Sequence, residues 1–225
     1  DIYDQTEKLN TEYGFDAPGC RENLKTVPSV YHRLEKLMDD IPKIQEYQYR
    51  LLKYYTEHYR IQKYEPCSGY VQFMFIDLCP QSFYGLYDWW GIPKKGLQAM
   101  LESNAPVGVF AKHKDYLDSL YIVNDTHEDL GQCELTWIIT EAFSGNLVEK
   151  GTVTAEIQAD SCIKAKEFES GYGKEQKWNL TLILSDYDGK CIAKNTYQDI
   201  CTLLSRVDGH PERMSHEFGM RLYWA

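Results

Sequence analysis

Gly69-Tyr70-Val71-Gln72-Phe73-Met74-Phe75-Ile76-Asp77 is an apolar run too short for a helix and bounded by turn residues, the profile of a β-strand buried on both faces. Strands of that kind belong mostly to parallel sheets, so the elements around this one should be helices. On its N-terminal side, behind the breaker Glu65-Pro66-Cys67-Ser68-Gly69, Ile44, Tyr47, Leu51, Leu52, Tyr55 and Tyr59 recur with a 3.6-residue period and predict a helix over 43–63. Pro42 opens it. Val30, Leu34, Leu37, Met38 and Ile41 predict an earlier helix over 28–41, with Pro28 in its first turn. Earlier still, Glu12-Tyr13-Gly14-Phe15 reads as a short strand running into the turn Asp16-Ala17-Pro18-Gly19. On the C-terminal side, a loop through Pro80 and Gly85 reaches Tyr87-Asp88-Trp89-Trp90-Gly91, and Pro93 begins a short helix over Leu97, Met100 and Leu101. Strand, helices, strand, helix is a β/α rhythm, but two strands cannot close a barrel.

Past Ala105-Pro106 the apolar period changes to two. Candidate strands fall at 117–123, 133–140, 152–157, 161–168, 177–185, 191–198 and 213–224. Asp186-Tyr187-Asp188-Gly189 is a hairpin signal, and Ser144-Gly145-Asn146 and Gly171-Tyr172-Gly173 are loop clusters. Residues 112–225 therefore read as one antiparallel β-sandwich following a β/α segment over 1–111, an α+β chain of two domains.

Composition narrows the partners. A formal charge of -10 without a basic stripe argues against nucleic acid. The run from Val71 to Leu78, broken by Gln72 and Asp77, is far short of the ~20 residues of a spanning helix. Eighteen Tyr and five Trp suit sugar binding and a sandwich core equally. Cys20, Cys67, Cys79, Cys133, Cys162, Cys191 and Cys201 are odd in number and form no CxxC pair, which reads as reduced, buried thiols. With no targeting segment in view, they favour a soluble, cytoplasmic protein. His113, His127, His210 and His216 lack ligand spacing, so no metal and no cofactor is expected. The sequons at Asn124 and Asn179 are what chance provides at this length. A start at Asp1 without Met, on the approach to a strand, reads as a piece of something longer.

Thr11-Glu12-Tyr13-Gly14-Phe15 resembles the S/T-E-F/Y-G motif that closes the seventh barrel strand of family-two glycoside hydrolases of the β-mannosidase and exo-β-glucosaminidase kind. The likeness continues in order. Gly69 to Asp77 with Pro80 is similar to that family's strand-eight segment G-x-x-x-W-x-x-N-D-x-W-P. Tyr87-Asp88-Trp89-Trp90-Gly91-Ile92-Pro93-Lys94 is similar to its D-Y-Y-G-x-P-K stretch, and Val123-Asn124-Asp125-Thr126 to the V-x-N-D-T opening of its sandwich. The resemblance implies the end of a (β/α)8 barrel over 1–111 and an immunoglobulin-like sandwich over 112–225. It also implies an O-glycosidase acting on a β-mannoside, β-glucosaminide or β-galactoside, with Glu12 as nucleophile.

A carboxylate at the C-terminal end of a barrel strand points into the barrel mouth, and a following glycine lets the backbone turn away. Taken alone, without the family, Glu-Tyr-Gly reads as an ordinary surface triplet. The family's acid/base is a Glu of an Asn-Glu pair on the fourth strand, which this chain does not contain, so the chain by itself is expected to be inactive. Asp77 matches the Asp of the family's N-D pair, either as a substrate contact or as a buried carboxylate fixing a loop. Phe73 stands where the family has Trp, Ile76 where it has Asn and Cys79 where it has Trp; a phenyl ring still stacks on a pyranose, but Ile76 offers no hydrogen bond. Trp89 and Trp90 are candidate sugar platforms or packing beneath the last helix.

The alternative class is a non-catalytic carbohydrate-binding or structural sandwich with a helical appendage. Under the first reading the partners are a carbohydrate substrate and the remainder of the parent enzyme. Residues 1–110 should then expose apolar surface, and self-association through that surface is expected.

Overall fold

A computed structural model describes residues 8–113, 117–168 and 177–198. They divide into two compact units: residues 8–59 with 64–104, and residues 60–63 with 105–198.

In the first unit, β1 (Leu9–Tyr13) leads through β2 (Ala17–Pro18), α1 (Arg21–Leu24) and α2 (Pro28–Leu34) to α3 (Ile41–Ile61). Then come β3 (Gly69–Gln72), β4 (Ser82–Phe83) and α4 (Lys95–Ser103). β1 and β3 pair in parallel, β2 and β4 antiparallel. The helix predicted over 28–41 stops at Leu34 and passes through a 3-10 turn at Glu35–Leu37. Pro42 fits the start that follows: proline has no N–H to continue a helix and is tolerated in a first turn, so a new helix begins at Ile41. Leu24, Val30, Leu34, Leu37, Met38, Ile41 and Ile44 form one core with Ala17.

The expected strand over 70–77 is corrected in extent and in environment. The ladder covers only Gly69–Gln72, the Phe73–Met74 peptide is cis, and Ile76 makes an isolated bridge to Tyr87. Val71, Phe73, Phe75 and Leu78 are 51%, 39%, 67% and 66% exposed rather than buried on both faces. Among the described residues β3 has β1 as its one strand partner, and none of them pairs with its other edge.

The second unit holds two antiparallel sheets. One joins β5 (Val107–His113), β6 (Leu117–Asn124) and β9 (Ser161–Glu167) in the order β5-β6-β9. The other joins β7 (Gly131–Glu141), β8 (Leu147–Ile157), β10 (Trp178–Ser185) and β11 (Cys191–Tyr197) in the order β11-β10-β7-β8. Alternate residues of both sheets, among them Val109, Leu120, Ile122, Leu135, Ile139, Leu180 and Leu182, enclose a single core. Each such aliphatic side chain contributes about 1.5–3 kcal/mol on burial. Gly145 (φ 71°) and Gly189 (φ 79°) occupy the turns the sequence marks, at a backbone conformation that favours glycine.

β5 is the strand that periodicity misses, and the second unit accordingly begins at residue 105 rather than 112. Gly108 to Ala111 are all buried. Val109 and Ala111 join the sheet core, while Phe110 packs on the other side with Ile61 and Val123, so no polar alternation survives. Asn124 is fully buried, with its amide donated to the carbonyls of Glu128 and Gln158, which commits the first sequon to the turn. Asp125 beside it pairs with Arg60 and Lys63. The strand predicted at 213–224, the Gly171–Gly173 loop, Cys201, His210 and His216 lie outside the described residues.

Candidate active site at the end of the first strand

The parallel ladder joins Asn10 to Tyr70 and Tyr13 to Gln72, so three steps along β1 match two along β3 and the strand carries one extra residue at Thr11–Glu12. Side chains confirm the irregularity. Asn10 and Tyr13 are three apart, which in a regular strand places them on opposite faces, yet both reach Tyr59 of α3. The Asn10 amide donates to the Tyr59 hydroxyl (2.7 Å), and the Tyr13 ring meets the Tyr59 ring edge-on at 5.2 Å. Bulges of this type re-aim a side chain next to active sites. Glu12 lies in this irregular stretch; its side chain is exposed and makes no hydrogen bond or ion pair to a described residue.

Glu12 and Phe73 are brought together. The N–H of Phe73 donates to the carbonyl of Tyr13 (2.8 Å), directly after Glu12. A Cβ on Gly14 would lie 2.0 Å from the Phe73 carbonyl oxygen, so the approach of the two segments requires glycine there. Tyr13 itself is buried, its hydroxyl 2.6 Å from that of Thr56, and burial raises its phenol above the ordinary range. The strand end that presents Glu12 is thus anchored on α3 by its neighbours on both sides.

Asp77 sits below this surface at 2% exposure. Lys94, equally buried, lies 2.7 Å from one carboxylate oxygen and donates to the other at 2.9 Å, which also accepts the N–H of Gly85. The same ammonium donates to the carbonyls of Ala17 and Phe83, so one cation ties four segments of the first unit together. Burial pushes the Asp77 carboxyl up and the Lys94 ammonium down, against their mutual attraction. Of the two readings of Asp77, the geometry favours the fixed loop.

Lys94 was not singled out from the sequence, nor were Asp88 and Asp16. Asp88 is buried and accepts the N–H groups of Cys20, Trp90 and Ile92, holding the loop that carries both tryptophans. Its signal was the Asp-x-x-Gly turn pattern ending at Gly91. Asp16, partly buried, has one carboxylate oxygen without a partner, and burial raises its pKa to about 6 although Lys94 draws it down. No sequence pattern marks it.

Trp89 is 50% exposed, whereas Trp90 packs against the core of the first unit. A cleft of about 560 Å³ between the starts of α3 and α4, lined by Ile41, Pro42, Gln45, Leu97 and Leu101 among others, includes Lys94 of the buried pair but none of the candidate residues. Among the described residues no cluster of His, Cys, Asp and Glu could hold a metal, and no helix is long and apolar enough to cross a membrane.

No protein-family model and no curated protein matches the sequence. Solved structures do. A β-D-mannosidase from Dictyoglomus thermophilum superposes with a TM-score of 0.70 at 20% identity over 84% of this chain and 27% of its own. The exo-chitosanase CsxA of Amycolatopsis orientalis gives a TM-score of 0.63 at 17% identity over 72% of this chain and 19% of its own. The fold of this chain is therefore that of a segment of such glycosidases, and the chain spans about a fifth to a quarter of the length of the structures it matches.

Proposed function

We propose that this chain is the C-terminal part of a retaining exo-β-glycosidase that cleaves a β-mannoside, β-glucosaminide or β-galactoside, with Glu12 as its nucleophile. The first unit is then the last sector of a (β/α)8 barrel, and the second, which begins at residue 105, an immunoglobulin-like accessory sandwich. One observation carries the reading: an exposed carboxylate at the C-terminal end of a parallel strand, beside the half-exposed ring of Phe73. Enzymes built on parallel β/α barrels keep their chemistry at that end of the strands.

In this scheme a Glu12 oxygen attacks the anomeric carbon as the glycosidic C–O bond breaks. The departing oxygen takes a proton from a carboxylic acid in the rest of the parent, about 5–5.5 Å from the nucleophile. Water, deprotonated by that same group, then attacks the glycosyl ester and frees Glu12. Phe73 and Trp89 offer ring faces to the pyranose. Asp77 and Trp90 serve the substrate by fixing the segments from which those rings project. The apolar face of β3 and its open edge are covered by the remaining barrel strands of the parent.

Full-length parent, wild type and Glu12→Gln, is assayed on a panel of nitrophenyl β-glycosides. Loss of a nucleophile costs several orders of magnitude in rate. A wild type that hydrolyses one glycoside, with a Glu12→Gln variant that keeps the rate, would remove the assignment. A parent that retains sugars on an affinity column yet hydrolyses none would favour a carbohydrate-binding module.

A further inference from the structure

Glu12 has to be aimed, but among the described residues its side chain has no hydrogen bond or ion pair that could aim it. Orientation must come from the backbone. The extra residue in β1 interrupts the parallel ladder at Thr11–Glu12, so the N–H of Glu12 finds its acceptor off the neighbouring strand. That acceptor is the Oδ1 of Asn10, at 3.0 Å. A local bond of this type is common and by itself decides nothing. What distinguishes Asn10 is its second arm, Nδ2, which donates at 2.7 Å to the hydroxyl of Tyr59 on α3. Tyr59 is 2% exposed, stacked on Tyr70 (5.5 Å, 18°) and met edge-on by Tyr13, so the post to which the arm is tied is itself held on two sides.

We infer that Asn10 is a positioning residue for Glu12: its amide satisfies the N–H released by the bulge and links it to Tyr59, bracing the strand end that presents the carboxylate. The inference rests on the reading of Glu12 as nucleophile, and it adds a residue that the resemblance does not supply. Asn10 does not meet the sugar in this arrangement, so its loss should act on the rate of attack rather than on binding.

The test uses the full-length parent with Asn10→Ala, Asn10→Asp, Tyr59→Phe and, as control, Glu12→Gln. Misplacing a reacting group by about 1 Å costs on the order of 100-fold, so Asn10→Ala should lower kcat about 10- to 100-fold while KM stays within about threefold. Asn10→Asp keeps the acceptor for Glu12, and its second oxygen can accept from the Tyr59 hydroxyl in place of the lost donor, so it should restore most of kcat. Tyr59→Phe keeps the ring packing, removes the anchoring hydroxyl and should fall between wild type and Asn10→Ala, which guards against a variant that merely fails to fold. Amide hydrogen exchange at Glu12, measured on the present chain, should quicken in Asn10→Ala.

A wild-type kcat in Asn10→Ala, or an unchanged Glu12 exchange rate, would overturn the inference. So would an Asn10→Asp variant as slow as Asn10→Ala. If Glu12→Gln abolishes turnover while Asn10→Ala does not, positioning by Asn10 is wrong and the nucleophile stands. If Glu12→Gln itself retains turnover, the nucleophile reading is what fails.

Discussion

Replacing Asp16 by Asn should stabilise this chain at neutral pH. Asp16 lies between Phe15, whose carbonyl is taken by Gln48, and Ala17, whose carbonyl is taken by Lys94, and one of its oxygens is buried without a partner. Burial raises its pKa from 3.8 to about 6; the Lys94 ammonium pulls the other way and Asp77 reinforces the rise. With the pKa higher in the folded chain than in the unfolded one, the folded state binds more protons between about pH 4 and 6. Stability is therefore greatest below that window and falls as pH rises through it. At about 1.4 kcal/mol for each tenfold change in proton activity, the full effect is roughly 3 kcal/mol, and partial exposure of the carboxyl reduces it to about 1–2 kcal/mol. Asn keeps the shape and removes the charge. Urea unfolding followed by tryptophan fluorescence should show Asp16→Asn more stable than wild type by that amount at pH 7.5, with the gap closing towards pH 4. A variant no more stable at pH 7.5, or a gap that does not close in acid, would refute the reasoning.

Lys94→Met leaves the Asp77 carboxylate buried without its cation and should cost about 3–5 kcal/mol in the same assay, most of it recovered when Asp77→Asn is added. Gly14→Ala puts a methyl carbon 2.0 Å from the Phe73 carbonyl oxygen, so the strand end and Phe73 must part. A stability loss of about 1–3 kcal/mol is expected from the displacement. In the parent, the rate on the best nitrophenyl glycoside should fall with it, and an unchanged rate would show that the close approach is not needed.

Sandwich strands were legible wherever one face meets the core and the other meets water. Trp178–Ser185 alternates buried and partly exposed along its whole length, and the period-two pattern of its sequence shows it. β5 was not legible because Phe110 is buried on one side of the strand while Val109 and Ala111 are buried on the other. Helix α3 announced itself by periodicity, but the end of the helix before it did not, because the apolar spacing runs on through the 3-10 turn at Glu35–Leu37.

At the site, sequence reaches residue types and stops short of their support. Glu12 and Phe73 become candidates only through the ordered motifs they share with a known family, since Glu-Tyr-Gly alone is an ordinary surface triplet. Lys94 and Asp88 could not be found that way, since their work depends on which carbonyls and amides converge on them, and those belong to segments far apart in the chain. The bulge is less visible still: an extra residue in β1 exists only relative to β3. The apolar run through Phe73 shows the converse case. Its composition prescribes a covered strand, and covering side chains such as Val71, Phe75 and Leu78 would contribute about 1.5–3 kcal/mol each. Nothing among the described residues covers them. Among the described residues the composition of this run and its exposure are therefore at odds.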